Sequence, residues 1–325
     1  MLPRRYIAID LGAESGRVMR GEVSDDGVVL REFHRFPNHQ ICVPTHDPRT
    51  PERLHWDILR LWQDIKIGLA AVAADMPAGG DPTERAIAGI GVDTWGVDFA
   101  LLDGNGELLG NPVCYRDPRT NGMVDQVFGR IPRPRMYALT GIQTMAINTV
   151  FQLASLSFNQ SPLLACARYA LFLPDLLTYW LCGKMGTEYT IASTSQMLEA
   201  RRRRWSPDIF DAIGISSTLF PPIDMPGERG SVRGMLLASA NEKLAGGGGG
   251  NGTPVIAVGS HDTASAIVAV PADPARGDWL YLSSGTWSLL GTETDEPVLS
   301  DKAAAHDITN EDGVGGRIRL LKNIA

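Results

Sequence analysis

The chain has 325 residues and a formal net charge of −7, from 30 Lys and Arg against 37 Asp and Glu. That length holds two ordinary domains or one large one and excludes a small disulfide-stapled module. With 44% hydrophobic and 21% charged residues the composition excludes a disordered tail, a collagen-like rod and a coiled coil, and the net acidity argues against a general nucleic-acid binder.

In chain order, residues 6–11 are apolar, residues 12–16 are small and polar, and residues 17–23 resume extended patterning. A turn at residues 26–28 leads into a third strand, 28–36, so the opening predicts an antiparallel three-stranded meander. Over residues 56–74 the apolar positions Ile58, Leu61, Trp62, Ile65, Leu69 and Val72 recur at helical spacing, an amphipathic helix. Strands return at residues 87–92 and 97–102, separated by a polar turn. The order βββαβ predicts a mixed sheet covered by helices. Two more helices are expected, over 146–158 and over 163–180, the second broken by Pro174. The glycine run 246–250 lacks the Lys and Ser/Thr of a P-loop and is expected to be a surface loop before a strand. VIAVG from Val255 is that strand, SHDTASA ends it and a helix follows. WLYLSSGTWSLLG then repeats the strand, small polar turn and strand of the opening, and predicts a second, similarly built domain from about residue 271.

Neither a signal peptide nor a membrane span is expected, because the apolar stretch after Arg5 meets Asp10 within a few residues and no other run approaches the ~20 apolar residues of a span. Cys42, Cys114, Cys166 and Cys182 form no CxxC pair, which predicts reduced, partly buried thiols without a metal. The expectation is a soluble cytoplasmic protein.

Four segments carry chemistry. Asp10, Gly12, Ser15 and Gly16 sit in a tight turn where backbone N–H groups and a hydroxyl can approach an anion, with Arg17 as a nearby cation and Asp10 as a possible Mg²⁺ ligand. Glu14 there must point away from phosphates or toward the metal. An ordinary glycine-rich hairpin is the plain alternative. The turn 283–286 offers the same chemistry from the opposite side, so that two hairpins can grip a triphosphate. Asp262, flanked by His261 and Thr263 just past a strand end, is placed to accept a proton from a substrate hydroxyl during phosphoryl transfer, or simply to cap the following helix. GVDTWGVDF places Asp93, Thr94, Trp95 and Asp98 around Gly96, a combination that suits a sugar face or, equally, a core Trp beside a capping Asp. YRDPRTNG gathers Arg116, Asp117 and Arg119 in a loop, as readily a salt-bridged turn as a ligand contact.

Taken in order, DLGAESGRV, GVDTWGVDF, YRDPRTNG, TGIQ, PDLLTYWLCGKMGTEYT, SHDTASA, YLSSGTWSLLG and the closing LKNI resemble the FGGY family of carbohydrate kinases, from about residue 6 to the end. Within that family the motifs are most similar to the branch that phosphorylates L-rhamnulose at its 1-hydroxyl with ATP and Mg²⁺. The resemblance implies an α/β fold of the actin and hexokinase type (ribonuclease H-like), with a sugar-binding domain over residues 1–270 and the beginning of an ATP-binding domain over 271–325. It implies ATP-phosphate contacts at Ala13, Glu14, Ser15, Gly16, Arg17 and Thr286. It implies sugar contacts at Gly96, His261, Asp262, Thr263 and Asn323, with Asp262 as the proton acceptor. No nucleic-acid or membrane partner is implied. Kinases of this family run well beyond LKNI, so the expectation is an N-terminal portion whose competence alone is open. Kinases for fuculose, xylulose or another polyol, and a non-catalytic sugar-binding role, remain as alternatives.

Overall fold

The computed structural model describes residues 3–46, 51–77, 86–227, 231–246, 252–273, 279–284 and 288–324. The opening meander forms as expected: β1 (Arg4–Leu11), β2 (Ser15–Ser24) and β3 (Gly27–Pro37) pair antiparallel in sequence order. A hairpin of β4 (Gln40–Pro44) and β5 (Glu52–Trp56) then precedes α1 (Ile58–Asp75). Trp56 ends the strand rather than opening the helix, because the Asp57 carboxylate caps the helix by accepting the Arg60 N–H. Ile58, Leu61, Ile65, Leu69 and Val72 form the buried face of α1, the stripe read from the sequence.

β6 (Ile87–Thr94) runs parallel to β1, with β7 (Phe99–Leu102) after it. The helix expected over 146–158 is α2 (Thr149–Phe158). The segment expected as one helix broken at Pro174 differs: Tyr169–Phe172 is a strand, β8, paired with β7, and Pro174 lies in the first turn of α3 (Leu173–Cys182). Proline tolerates that position because its missing N–H has no helical partner there. A short helix, α4 (Tyr189–Ser193), follows. β9 (Val232–Met235) and β10 (Pro254–Ile256) close the large sheet, and α5 (Asp262–Val268) leads away from it.

The large sheet has the order β9-β10-β6-β1-β2-β3, with β10, β6 and β1 parallel. Its core of Ile7, Ile9, Leu11, Val18, Ile90 and Val92 packs with α1 and α3. From Tyr281 a separate antiparallel sheet begins: β11 (Tyr281–Ser284), β12 (Ser288–Thr294), β13 (Thr309–Asp312) and β14 (Ile318–Asn323), in the order β11-β12-β14-β13. No helix among the described residues is long and apolar enough to cross a membrane. Cys114 and Cys182 are buried thiols as expected, whereas Cys42 and Cys166 are exposed ones.

Candidate active site

Parallel strands end together, and their carboxyl ends are where open α/β sheets place reacting groups. Asp10 near the end of β1 is in register with Asp93 on β6, and Thr94 bridges to His261 beyond β10. Residues in register on neighbouring strands point to the same face. Asp10 and Asp93 therefore lie side by side, with Asp262 close enough that the three charges act on one another. Burial and the charges of Asp10 and Asp262 push the Asp93 carboxyl well above the usual carboxylate range. Asp262 is also raised, by burial first, with His261 opposing the shift.

The turn between β1 and β2 closes with a hydrogen bond from the Gly12 N–H to the Ser15 carbonyl at 2.9 Å. Asn38 clasps it from the next strand, donating its side-chain amide to the Gly12 carbonyl at 2.9 Å. A Cβ on Gly16 would lie 2.4 Å from both Leu11 and Phe36, so only glycine fits beneath the turn. Ala13 and Ser15 are half-buried along this turn and Glu14 is exposed. Arg17 is committed to Asp10, with Nη2 at 2.6 Å from Oδ2. Cation and carboxylate thus form one unit rather than two separate contacts.

His261 stands at the N-cap position of α5 without a side-chain capping bond, and Asp262 is the first helical residue rather than the capping one. The Asp262 Oδ1 atom accepts the Thr263 N–H at 2.6 Å and the Thr263 hydroxyl at 3.2 Å, and faces His261 Nε2 at 3.4 Å. Among the described residues the contacts of this carboxylate fall on Oδ1, and its side chain keeps 36% exposure. Oδ2 is the oxygen left for an outside proton donor. Beneath it, the buried Glu188 carboxylate accepts the Ser260 N–H and hydroxyl and the N–H groups of Thr190 and Ile191, while Thr190 Oγ1 accepts the His261 N–H.

Gly96 lies where Thr194 approaches: a Cβ there would sit 3.1 Å from the threonine methyl. Trp95 and Asp98 from the same motif are internal. Trp95 packs on Trp56 with ring centroids 4.4 Å apart, and Asp98 accepts the indole N–H of both. Burial raises Asp98 to about 6. The Asp117 loop is a structural turn: its carboxylate accepts the N–H groups of Leu54 and Arg119 and pairs with Arg53 from outside the loop at 3.7 Å, while the Arg119 side chain donates to Gln152. Asn323 donates to the side-chain oxygen of Gln143, in TGIQ, at 2.8 Å. Thr286 lies outside the described residues.

Three residues that the motifs did not mark complete the site's support: Glu188, Glu311 and Arg319. Arg319, fully buried on β14, donates from Nη2 to His261 Nδ1 at 3.0 Å and lies 3.0 Å from the Glu311 carboxylate. Burial alone would raise Glu311, yet the Arg319 guanidinium beside it holds it down at about 2. Only Glu188 had a local signal, as an acidic residue opening a helix in TEYT. The other two are joined to the triplet by the fold alone.

The model of the FGGY family of carbohydrate kinases, N-terminal domain, matches residues 5–269. The rhamnulokinase of Bacteroides thetaiotaomicron is 45% identical over 323 residues, covering 99% of this chain and 62% of that protein. That of Oceanobacillus iheyensis is 39% identical over 318 residues, covering 98% of this chain and 62% of its own length. The chain thus spans about three fifths of these curated relatives. Among solved structures, a ligand-bound xylulose kinase from Lactobacillus acidophilus superposes with a TM-score of 0.78 at 17% identity, covering 98% of this chain and 60% of that one. Plasmodium falciparum glycerol kinase with ADP gives 0.77 at 15% identity, covering 99% and 61%. The fold is accordingly α/β of the actin and hexokinase type.

Proposed function

The chain belongs to the FGGY family of carbohydrate kinases, and from that premise we propose that it serves the ATP-dependent phosphorylation of L-rhamnulose on its 1-hydroxyl. The observation that carries the chemistry is the Asp262 carboxylate, held through Oδ1 and open at Oδ2, at the strand ends beside the Asp10–Arg17 turn. The rhamnulokinase relatives support the choice of sugar.

In this reading Asp262 Oδ2 takes the proton of the sugar hydroxyl as its oxygen attacks the γ-phosphorus, and ADP leaves in line. His261, Thr263, Gly96 and Asn323 contact the sugar. The turn of Ala13, Glu14, Ser15, Gly16 and Arg17 meets the phosphates of ATP, with Thr286 opposite. Asp10, with Asp93 beside it, would hold Mg²⁺, whose bound charge offsets that of the phosphates. Adjacent carboxylates that repel one another suit such a cation, and one or two carboxylates plus phosphate oxygens suffice for Mg²⁺.

Asp262→Asn tests the assignment. It is expected to lower turnover by about 10²- to 10⁴-fold while calorimetry finds sugar affinity near the parent value. Undiminished turnover would remove Asp262 as the base. A panel of ketoses assayed for ATP consumption tests the sugar, and preference for fuculose or xylulose would replace rhamnulose. Sugar binding without ATP binding would replace the kinase reading with a sugar-binding one.

A further inference from the structure

We propose that Arg319, braced by Glu311, is a positioning residue that fixes the tautomer of His261 and through it the orientation of Asp262. The inference rests on the reading of Asp262 as the base. Its physical core is a question of protons: Nδ1 of His261 has two neighbours, the Arg319 guanidinium at 3.0 Å and the Glu311 Oε2 atom at 3.2 Å. Guanidinium can only donate and carboxylate can only accept, so the two demand opposite states of the same nitrogen.

The geometry favours the guanidinium. The Arg319 Nη2 group meets Nδ1 as a hydrogen bond, whereas Glu311 Oε2 stands at ion-pair distance without one. Arg319 is held for this task, fully buried, with Nε donating to the Asp312 carbonyl at 3.0 Å. Glu311, 3.0 Å from Nη2, supplies the negative charge that keeps the buried guanidinium in place. With the Nδ1 lone pair engaged, the imidazole proton resides on Nε2. Nε2 faces Asp262 Oδ1 at 3.4 Å, the oxygen that also takes both Thr263 donors. The two Thr263 donors hold this oxygen, an Nε2–H adds an attractive contact at ion-pair distance, and the other oxygen is left for substrate. The opposite tautomer would turn a lone pair toward Oδ1 and repel it.

The arrangement also crosses the molecule. Arg319 and Glu311 belong to the four-stranded sheet, and His261 and Asp262 to the segment after the large sheet. Orientation of the base therefore depends on the docking of one sheet against the other.

Histidine-labelled protein, read by long-range ¹H–¹⁵N correlation of the six imidazoles and assigned with His261→Gln, tests the tautomer directly. The expected result is a single neutral form of His261 protonated on Nε2. A proton on Nδ1, or an averaged mixture of tautomers, would overturn the proposal. Arg319→Lys keeps the charge but loses the planar fork. It is expected to release the tautomer into a mixture and to lower kcat by about tenfold to a hundredfold, with KM for the sugar changing less than kcat. An unchanged tautomer in that folded variant, or a rise in KM at constant kcat, would also overturn it. If the variant fails to fold, the spectrum of the parent chain still decides. The Nε2 tautomer together with undiminished turnover in Asp262→Asn would sink the base reading and the kinetic consequence, leaving the hydrogen-bond assignment standing.

Discussion

Two clusters of charge lie within one side chain of each other and are built on opposite plans. At the strand ends Asp10, Asp93 and Asp262 crowd like charges together, with Arg17 bonded to only one of them and 42% exposed. In the seam between the sheets Glu311, Arg319, His261, Asp312 and Tyr189 each have a partner, and Arg319 is fully buried. A compensated cluster gains little from an added ion and holds elements in place. A cluster left with excess charge costs stability and suits a site completed by ligands of opposite sign. The comparison marks the seam as a structural clamp and supports the strand-end cluster as the proposed site.

The largest effect expected from this difference is on stability. Arg319→Met leaves Glu311 buried without its counter-charge and is predicted to cost about 3–5 kcal/mol in urea denaturation. Arg17→Met removes the corresponding cation of the strand-end cluster, yet solvent reaches that pair, and the cost is predicted below about 1 kcal/mol. Equal losses at the two sites would erase the distinction.

A second effect is on the pH dependence of folding. Burial raises Asp312 to about 7, against an ordinary value of 3.8, although the Tyr189 hydroxyl donates to it. The folded chain therefore holds this proton more tightly than the unfolded chain. The stability it contributes is complete below about pH 4 and is lost as pH rises through about 7. Asp312→Asn is predicted to remove roughly 2–4 kcal/mol of that slope between these limits, measured by denaturation at several pH values. Asp98 at about 6 and Asp175 at about 7, both raised first by burial, slope in the same direction and remain in the variant. A slope unchanged by Asp312→Asn would mean the carboxyl is not buried in solution as it is here.

How far each cluster can be read from sequence follows from how it is assembled. The strand-end cluster comes from short motifs, so Asp10, Arg17, His261, Asp262 and Thr263 are legible locally, as is the meander that carries the first two. The seam is invisible to such a reading: Arg319 and His261 are 58 residues apart and Tyr189 and Asp312 are 123 apart. Trp95 and Asp98 show the opposite case, where the sequence left a sugar face and a core pair both open. An aromatic and a carboxylate at a strand end suit a sugar, but Trp56, brought in by an unforeseen hairpin, takes both into the core. Tyr169–Phe172 was hidden for a related reason, since its strand pairing with Phe99–Leu102 overrides a run of apolar residues that helices also favour.

The smallest predicted effect is the most discriminating, because it has the opposite sign. The Asp93 charge is opposed by burial and by Asp10 and Asp262. Replacing it with asparagine keeps the shape and a polar group while removing the repulsion. Asp93→Asn is therefore predicted to raise Tm by about 1–3 °C near neutral pH, where any removal from the seam lowers it. Adding MgCl₂ sharpens the comparison, since an ion that binds only the folded chain stabilises it by mass action. The parent chain is expected to gain in Tm with Mg²⁺ and the variant to gain less, because one of the two adjacent carboxylates is gone. A Tm lowered by several degrees in Asp93→Asn would place this carboxylate among the structural charges and leave Asp10 alone as the cation's partner. Higher stability with the Mg²⁺ response undiminished would keep the repulsion but separate it from the cation site.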